Sequence, residues 1–410
     1  MLNWANRFNI CCFLDDHLYG LPPHTHECLV GAGAVHTLQA SAGNAFDQLR
    51  EFSTQHNDWL FGHLGYDLKN ETEQLSSSHT DHVEFPDLFF FVPETVIQLQ
   101  QHNITIACIE KDPAAIFDDI INTPDVVSTE QQPVTGISGR FNKQEYLDVI
   151  HELQRHILRG DCYEINFCQE FFAEQADIDP LDAYRKLTAI SPNPFTAFYK
   201  LDNKYLLCAS PERYLKKTGS QIVSQPVKGT WSRDHTSAAA DEEKKQQLFN
   251  SIKDRTENVM IVDLVRNDLS RICEESSVKV DELFGIYSFP QVHQMISTVS
   301  GRLNASLHWT DAVRATFPMG SMTGAPKKRV MELIEQYERT RRGIFSGAVG
   351  YVSPEGDFDF NVVIRSMLYN KKSRYLSYQV GSGITFYSDA ESEYEECLLK
   401  AEAIKKVMGY

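Results

Sequence analysis

The sequence predicts an α+β fold with mostly antiparallel strands. Strand-like runs follow one another across short turns, as at 205–209 and 221–224. Residues 346–353, 358–369 and 374–380 read as a three-strand meander, turning at Pro354-Glu355-Gly356 and Lys371-Lys372. Amphipathic segments with recognisable start and stop residues lie among the strands.

In chain order, residues 1–110 read as mixed strands and short helices. Gly62 and Gly65 sit among aromatics in 59–66, a pattern of close backbone packing. The run 85–96 is apolar and strand-like. From 111 to 139 the chain is acidic and polar, with Pro113, Pro124 and Pro133, and reads as a linker. A second domain, 140–410, opens with Asn142-Lys143-Gln144-Glu145 capping a helix that runs to Leu158 and stops at Gly160. Strands follow at 163–172 and 195–200. Residues 241–269 read as one long helix, with Leu248, Ile252, Val259 and Val262 on one stripe. A Gly/Ser/Thr loop spans 319–326, a helix 327–338, and a last helix 390–408.

A chain of 410 residues is too long for one small core and suggests two or three domains. Its net charge of −17 argues against nucleic acid or an anionic membrane as the main partner. Nine cysteines, an odd number without any CxxC spacing, read as free thiols in a reducing compartment, here the cytoplasm. Neither a secretory leader nor a run of 18 apolar residues is evident.

Lys228 is the residue with the most chemical promise. It lies in the otherwise uncharged turn Pro226-Val227-Lys228-Gly229-Thr230, where desolvation favours the neutral, nucleophilic amine. Glu212, in Ser210-Pro211-Glu212-Arg213, ends a neighbouring strand-like run and suits the part of general acid. Taken alone, a surface hairpin lysine explains the same residues. Asp254 and Glu257 share one helix face, and Glu393 and Glu396 share another. Two facing carboxylate pairs form a hard-oxygen site for magnesium, although either pair alone reads as a solvated acidic face. Lys400, one turn beyond Glu396, is a salt-bridge partner or a cation for a substrate carboxylate. Arg365 suits bidentate carboxylate recognition, and Gly381 and Gly383 allow backbone N–H groups to approach an anion. Neither HExxH, nor a P-loop, nor Gly-x-Ser-x-Gly is present.

From about residue 140 onward the chain resembles the chorismate-utilising enzymes. These comprise component I of anthranilate synthase and of aminodeoxychorismate synthase, together with isochorismate and salicylate synthases. The matching segments include Gly160-Asp161-Cys162-Tyr163-Glu164-Ile165-Asn166, Ser210-Pro211-Glu212-Arg213, Lys253-Asp254-Arg255-Thr256-Glu257-Asn258 and Asp263-Leu264-Val265-Arg266-Asn267-Asp268. Further on come Phe317-Pro318-Met319-Gly320-Ser321-Met322-Thr323-Gly324-Ala325-Pro326-Lys327, Ser346-Gly347-Ala348-Val349-Gly350-Tyr351, Gly381-Ser382-Gly383-Ile384 and Glu393-Tyr394-Glu395-Glu396. Residues 1–110 look like the variable N-terminal region of anthranilate synthase component I. The resemblance implies two large, mostly antiparallel sheets in a sandwich-like core with helices outside.

Within the family, Lys228 points to the branch that makes aminodeoxychorismate, which carries lysine in a Pro-Ile-Lys-Gly-Thr motif where anthranilate synthases carry alanine. The lysine that activates water in isochorismate and salicylate synthases is matched here by Glu164. The resemblance implies magnesium held by Glu257 and Glu393, with Asp254 and Glu396 close by. It implies a ring carboxylate bound with help from Lys400 and Gly381, Thr323 and Gly324 at the substrate, and an enolpyruvyl carboxylate on Arg365. Lys228 would attack C2 of chorismate while Glu212 protonates the departing C4 hydroxyl, and ammonia would then expel Lys228. The product, 4-amino-4-deoxychorismate, leads to para-aminobenzoate and folate. Ammonia would come from a separate glutamine amidotransferase subunit, since no Gly-x-Cys-x-Gly glutaminase motif is present. The family's later-step histidine falls on Gln294, one place from His293. The tryptophan-binding Leu-Leu-Glu-Ser motif of relatives appears as Phe13-Leu14-Asp15-Asp16. Anthranilate synthase component I and an inactive regulatory or binding subunit are the alternatives.

Overall fold

Side chains along the strands alternate between two apolar interiors. Cys12, Tyr199, Leu206 and Cys208 join one buried cluster, while their neighbours Cys11, Phe13, Phe198 and Leu207 join the other. Period-two alternation with both faces buried is the signature of a sheet covered on each side. The computed structural model describes all residues except 20, 24, 25, 102, 125–132 and 410. Among the described residues there are two sheets, of eleven and ten strands, and every pairing between named strands is antiparallel.

The first cluster holds residues of both sheets, such as Leu206 with Leu215 and Phe360, and is the filling of a sandwich. The second cluster lies on the outside of the larger sheet, under the helices Lys143–Arg159, Pro180–Ile190, Lys327–Tyr337 and Ala390–Lys400. This is the sandwich with outer helices that the sequence led us to expect. Asn142 and Glu145 form the foreseen capping box, and Gly160 ends that helix at φ +87°. Gly62 is also as foreseen: a Cβ there would lie 2.1 Å from the Phe89 carbonyl oxygen.

Five sequence expectations are corrected. Residues 1–110 do not form a separate body. The strand Ile10–Asp15 pairs with Phe195–Leu201 in the larger sheet, and Leu60–Leu64 pairs with Ala348–Val352 in the smaller one. The stretch read as a linker contains a helix, Pro113–Asn122, capped by Asp112 and anchored by buried Ile116 and Ile120; its residues 125–132 lie outside the described residues. The long helix is two, Ala238–Asn250 and Ile252–Ser270. Ser251 takes an extended backbone and caps the second by accepting from the Asp254 N–H, so Ile252 lies outside the supposed apolar stripe, 84% exposed. The last helix likewise divides into Ala390–Lys400 and Glu402–Met408. Finally, 358–369 is not one strand. Phe358–Asn361 belongs to the smaller sheet and Ser366–Asn370 to the larger, and the chain crosses between them at 362–365. No described helix is long and apolar enough to cross a membrane, and all nine cysteines are free thiols.

Candidate active site

Two places where the chain changes sheet run side by side. The strand Lys204–Ser210 of the larger sheet leads through Pro211 and Glu212 into Arg213–Thr218 of the smaller. Beside it, 362–365 makes the reverse crossing. The Val362 N–H donates to the Glu212 carbonyl oxygen (3.0 Å) and the Ala209 N–H to that of Arg365 (3.3 Å). Hydrogen bonding between the crossings thus ties the Glu212 backbone to Val362 and the Arg365 backbone to Ala209, one at each end of the paired stretch. Arg365 takes φ +53°, uncommon for a non-glycine residue and a hallmark of a locally constrained site. Its guanidinium makes no hydrogen bond or ion pair among the described residues, and burial lowers its pKa.

Lys228 comes from the edge strand of the smaller sheet, Val227–Ser232. Val227 pairs with Ile296 and Thr230 with Gln294, leaving one extra residue on the Lys228 side. This is a β-bulge, made possible by Gly229 at φ +89°. The bulge turns Lys228 inward, 9% exposed, where its Nζ donates to Glu164 Oε1 at 2.6 Å. Glu164 begins the strand Glu164–Ala173 of the larger sheet, next to that sheet's terminal strand Gly324–Ala325. The edges of the two sheets therefore meet at this ion pair.

Burial alone would release the Lys228 proton, as its surroundings in the sequence suggested. The carboxylates of Glu164, Glu257 and Glu212 outweigh that effect and hold the pKa above its ordinary value. Without substrate the site therefore contains an ammonium, not the expected free amine. At Glu212 burial pushes the carboxyl up to about 7, against the pull of the Lys228 charge. An acid of that strength is half protonated near neutrality, as a proton donor requires.

The two acidic helix faces also converge, and they meet on Lys253. Its ammonium lies 3.0 Å from Glu393 Oε1, 3.8 Å from Glu396 Oε2 and 3.9 Å from Glu257 Oε1. Burial raises Glu257 to about 7, while the Lys400 ammonium holds Glu396 down at about 2. Glu257 Oε1 and Glu393 Oε2 are buried without hydrogen-bond partners, a donor set of hard oxygens that fits a divalent cation. The fit is incomplete as the side chains stand. Among the described residues no three acidic, cysteine or histidine side chains are arranged to hold a metal ion. Asp254 faces elsewhere, accepting from the Trp231 indole N–H at 3.3 Å and lying against Gly229.

Lys400 makes the salt bridge that its i, i+4 spacing from Glu396 suggested. It pairs with Glu396 at 2.8 Å and donates to the Gly381 carbonyl oxygen at 2.9 Å. Gly381 and Gly383 end the strand Tyr375–Ile384, whose pairing with Ser366–Asn370 stops at Ser377, so this edge leaves the ladder on the site's side. Gly383 faces the ion pair: a Cβ there would lie 2.8 Å from Glu164 Oε1 and 2.9 Å from Lys228 Nζ. Thr323 and Gly324 brace the same edge. The Thr323 carbonyl accepts from the Asn166 N–H at 2.8 Å, and its hydroxyl donates to the Met319 carbonyl. Gly324, at φ +139°, leaves no room for a side chain, which would strike the Glu164 carbonyl oxygen at 2.1 Å.

With this geometry established, comparison with known proteins is decisive. Residues 19–406 match the family described as chorismate binding enzyme. The chain belongs to that family. It is 36% identical over 345 residues to aminodeoxychorismate synthase component 1 of Klebsiella aerogenes, covering 84% of this chain and 75% of the relative. It is 33% identical over 356 residues to an anthranilate synthase component I-like protein of Synechocystis sp., covering 85% and 72%. Among solved structures, anthranilate synthase component I from Streptococcus pneumoniae superposes with a TM-score of 0.80 at 26% identity, covering 95% of this chain and 93% of that one.

In this chorismate binding enzyme the question of His293 against Gln294 has a geometric answer. The His293 ring is fully engaged, Nε2 with Asp241 Oδ1 at 3.0 Å and Nδ1 with Ser288 Oγ at 2.9 Å. It ties the helix Ala238–Asn250 to the sheet. Gln294 is buried with its amide oxygen unpartnered. Sequence reasoning missed two participants. Glu164 was noted only as a replaced lysine, although a carboxylate in the matched Gly160–Asn166 segment was a signal for a partner to Lys228. Lys253 stands at i, i+4 from Glu257, a spacing that announces their proximity.

Proposed function

We propose that this chain converts chorismate and ammonia into 4-amino-4-deoxychorismate, the activity that the name of the Klebsiella relative describes. One observation carries this reading: a buried lysine, Lys228, projects into the site from a bulged edge strand, within reach of the acid Glu212. Lys228, as a free amine, attacks C2 of the ring. Glu212 protonates the C4 hydroxyl, which departs as water. Ammonia adds at C4 and expels the Lys228 amine, and the Glu212 carboxylate takes the proton shed by the new ammonium.

The chain's other residues bind and orient. Arg365, with its donors free, receives the enolpyruvyl carboxylate as a bidentate partner. Lys400 uses two of its three N–H groups within the protein and keeps one for the ring carboxylate. Glu257 and Glu393, with Glu396 beside them, are the residues that would hold magnesium, Lys253 having withdrawn. When bound, the ion supplies charge neutralisation for the ring carboxylate. Asp254 supports Trp231 and the bulge. Ammonia comes from a separate glutamine amidotransferase subunit, a reading that fits the words "component 1" in the relative's name. Free thiols at all nine cysteines support a cytoplasmic site of action.

The test is product identity. Chorismate, magnesium and ammonium are incubated with the chain and the product is analysed by mass spectrometry. 4-Amino-4-deoxychorismate, which keeps its enolpyruvyl group, supports the reading; anthranilate transfers it to the other branch, and absence of turnover leaves a binding or regulatory subunit. Lys228→Ala should lose most turnover at low ammonia, and full retention rejects the covalent route.

A further inference from the structure

The covalent-lysine reading leaves a proton unassigned. Lys228 must attack as an amine, yet the unliganded site holds it as an ammonium donating to Glu164 Oε1 at 2.6 Å. The groups facing its Nζ are the carboxylates of Glu164 on the strand Glu164–Ala173, Glu257 on the helix Ile252–Ser270 and Glu212 in the crossing segment, with Glu396 further out. Glu212 is occupied, since its proton goes to the departing hydroxyl, and Glu257 stands with the acids around Lys253. Glu164 remains. It is 1% exposed, and its Oε2 is buried without a partner. Gly383 lets the pair approach the opposite strand with no intervening side chain.

We infer that Glu164 is the catalytic proton acceptor for Lys228: it takes the Nζ proton across their hydrogen bond when chorismate enters, keeps it during the covalent phase, and returns it when the amine is expelled. The inference rests on the covalent reading of Lys228 and extends it. Protons balance throughout. The ammonium and carboxylate become an amine and a carboxylic acid. The amine's lone pair forms the bond to C2, and Glu212 supplies the proton with which the C4 oxygen leaves. When ammonia adds at C4, the Lys228–C2 bond breaks with its electrons returning to nitrogen, and the proton passes back from Glu164. The pair is neutral overall before and after transfer, so burial favours neither state as strongly as it would for a lone charge.

The test compares Glu164→Gln and Glu164→Asp with the parent enzyme and with Lys228→Ala, using chorismate, magnesium and ammonium chloride. The glutamine variant can accept the lysine's hydrogen bond but not its proton. Its kcat should fall about 10²–10⁴-fold, the range for loss of a positioned acid or base. Its KM for chorismate should change far less, and its residual turnover should climb with pH as the solvent deprotonates Lys228. The aspartate variant should recover part of the loss, and chorismate binding by both variants reports that they are folded. Parent-like kcat and pH profile in Glu164→Gln overturn the inference while the covalent reading stands. A fully active Lys228→Ala overturns the reading itself. A fall in chorismate affinity matching the fall in turnover, with an unaltered pH profile, assigns Glu164 a structural part and overturns the inference.

Discussion

Gly383→Ala separates catalytic geometry from stability. An alanine Cβ at this position would stand 2.8 Å from Glu164 Oε1 and 2.9 Å from Lys228 Nζ. Ordinary contact lies near 3.5 Å, so the pair must retreat by roughly half an ångström. Both atoms are side-chain tips, and the backbone at Gly383 is an extended strand that alanine adopts without strain. The fold therefore has little to lose, and reduced freedom of the unfolded chain favours the variant by about 0.4–1 kcal/mol. The reacting nitrogen, in contrast, is pushed off its line. Displacements of about 1 Å at a reacting atom lower rates about a hundredfold, and half that distance points to roughly a tenfold loss of kcat. The assay pairs steady-state kinetics on chorismate and ammonium with thermal unfolding of the same preparation. The expected result is kcat down about tenfold with the melting temperature unchanged or slightly raised. Undiminished kcat would show that Lys228 and Glu164 are not held against Gly383, and a markedly lowered melting temperature would show that the close approach is structural.

Four further outcomes follow from the same site. With Glu212 at about 7 in the unliganded site, the parent kcat/KM should fall as pH rises through that value, because only the protonated form donates; in Glu212→Gln that limb should vanish together with about 10²–10⁴-fold of kcat. Arg365→Lys keeps the charge but loses the planar fork, so KM for chorismate should rise roughly ten- to a hundredfold, equivalent to about 1.5–3 kcal/mol of charged hydrogen bonding, and an unchanged KM removes Arg365 from the carboxylate. Glu257→Gln should abolish magnesium-dependent chorismate consumption in a metal titration, and an unaltered metal dependence withdraws Glu257 as a ligand. His293→Ala should lower stability by about 1–3 kcal/mol in a denaturant titration, through its lost bonds to Asp241 and Ser288, while turnover holds; a collapse of turnover in folded protein would return His293 to the chemistry.

Much of this was legible in the residues because local rules govern it. The capping box at Asn142 and Glu145, the stop at Gly160 and the turns of the C-terminal meander depend on neighbours in sequence. So does the sharing of a helix face by Glu393 and Glu396. What was not legible depends on partners distant in the chain. The crossing at 362–365 looks like continued strand because Val362, Val363 and Ile364 have strand-like side chains; only pairing of the segments on either side with different sheets reveals the switch. Ser251 breaks a helix that hydrophobic spacing carried straight through. The charge state of Lys228 was misjudged for a related reason. An uncharged sequence neighbourhood says nothing of Glu164, which lies 64 positions away in the chain.

The two sheet-switching segments deserve a mechanical reading. Each is a short tether moored at one end in one layer of the sandwich and at the other end in the opposite layer. The donor of the proton rides on one tether and the guanidinium on the other, so neither has a free loop in which to wander. Their mutual distance is set by how the layers sit on one another, which is the business of the apolar filling. Substitutions deep in that filling, far from any substrate atom, would then register as slower chemistry in a protein that still recognises chorismate.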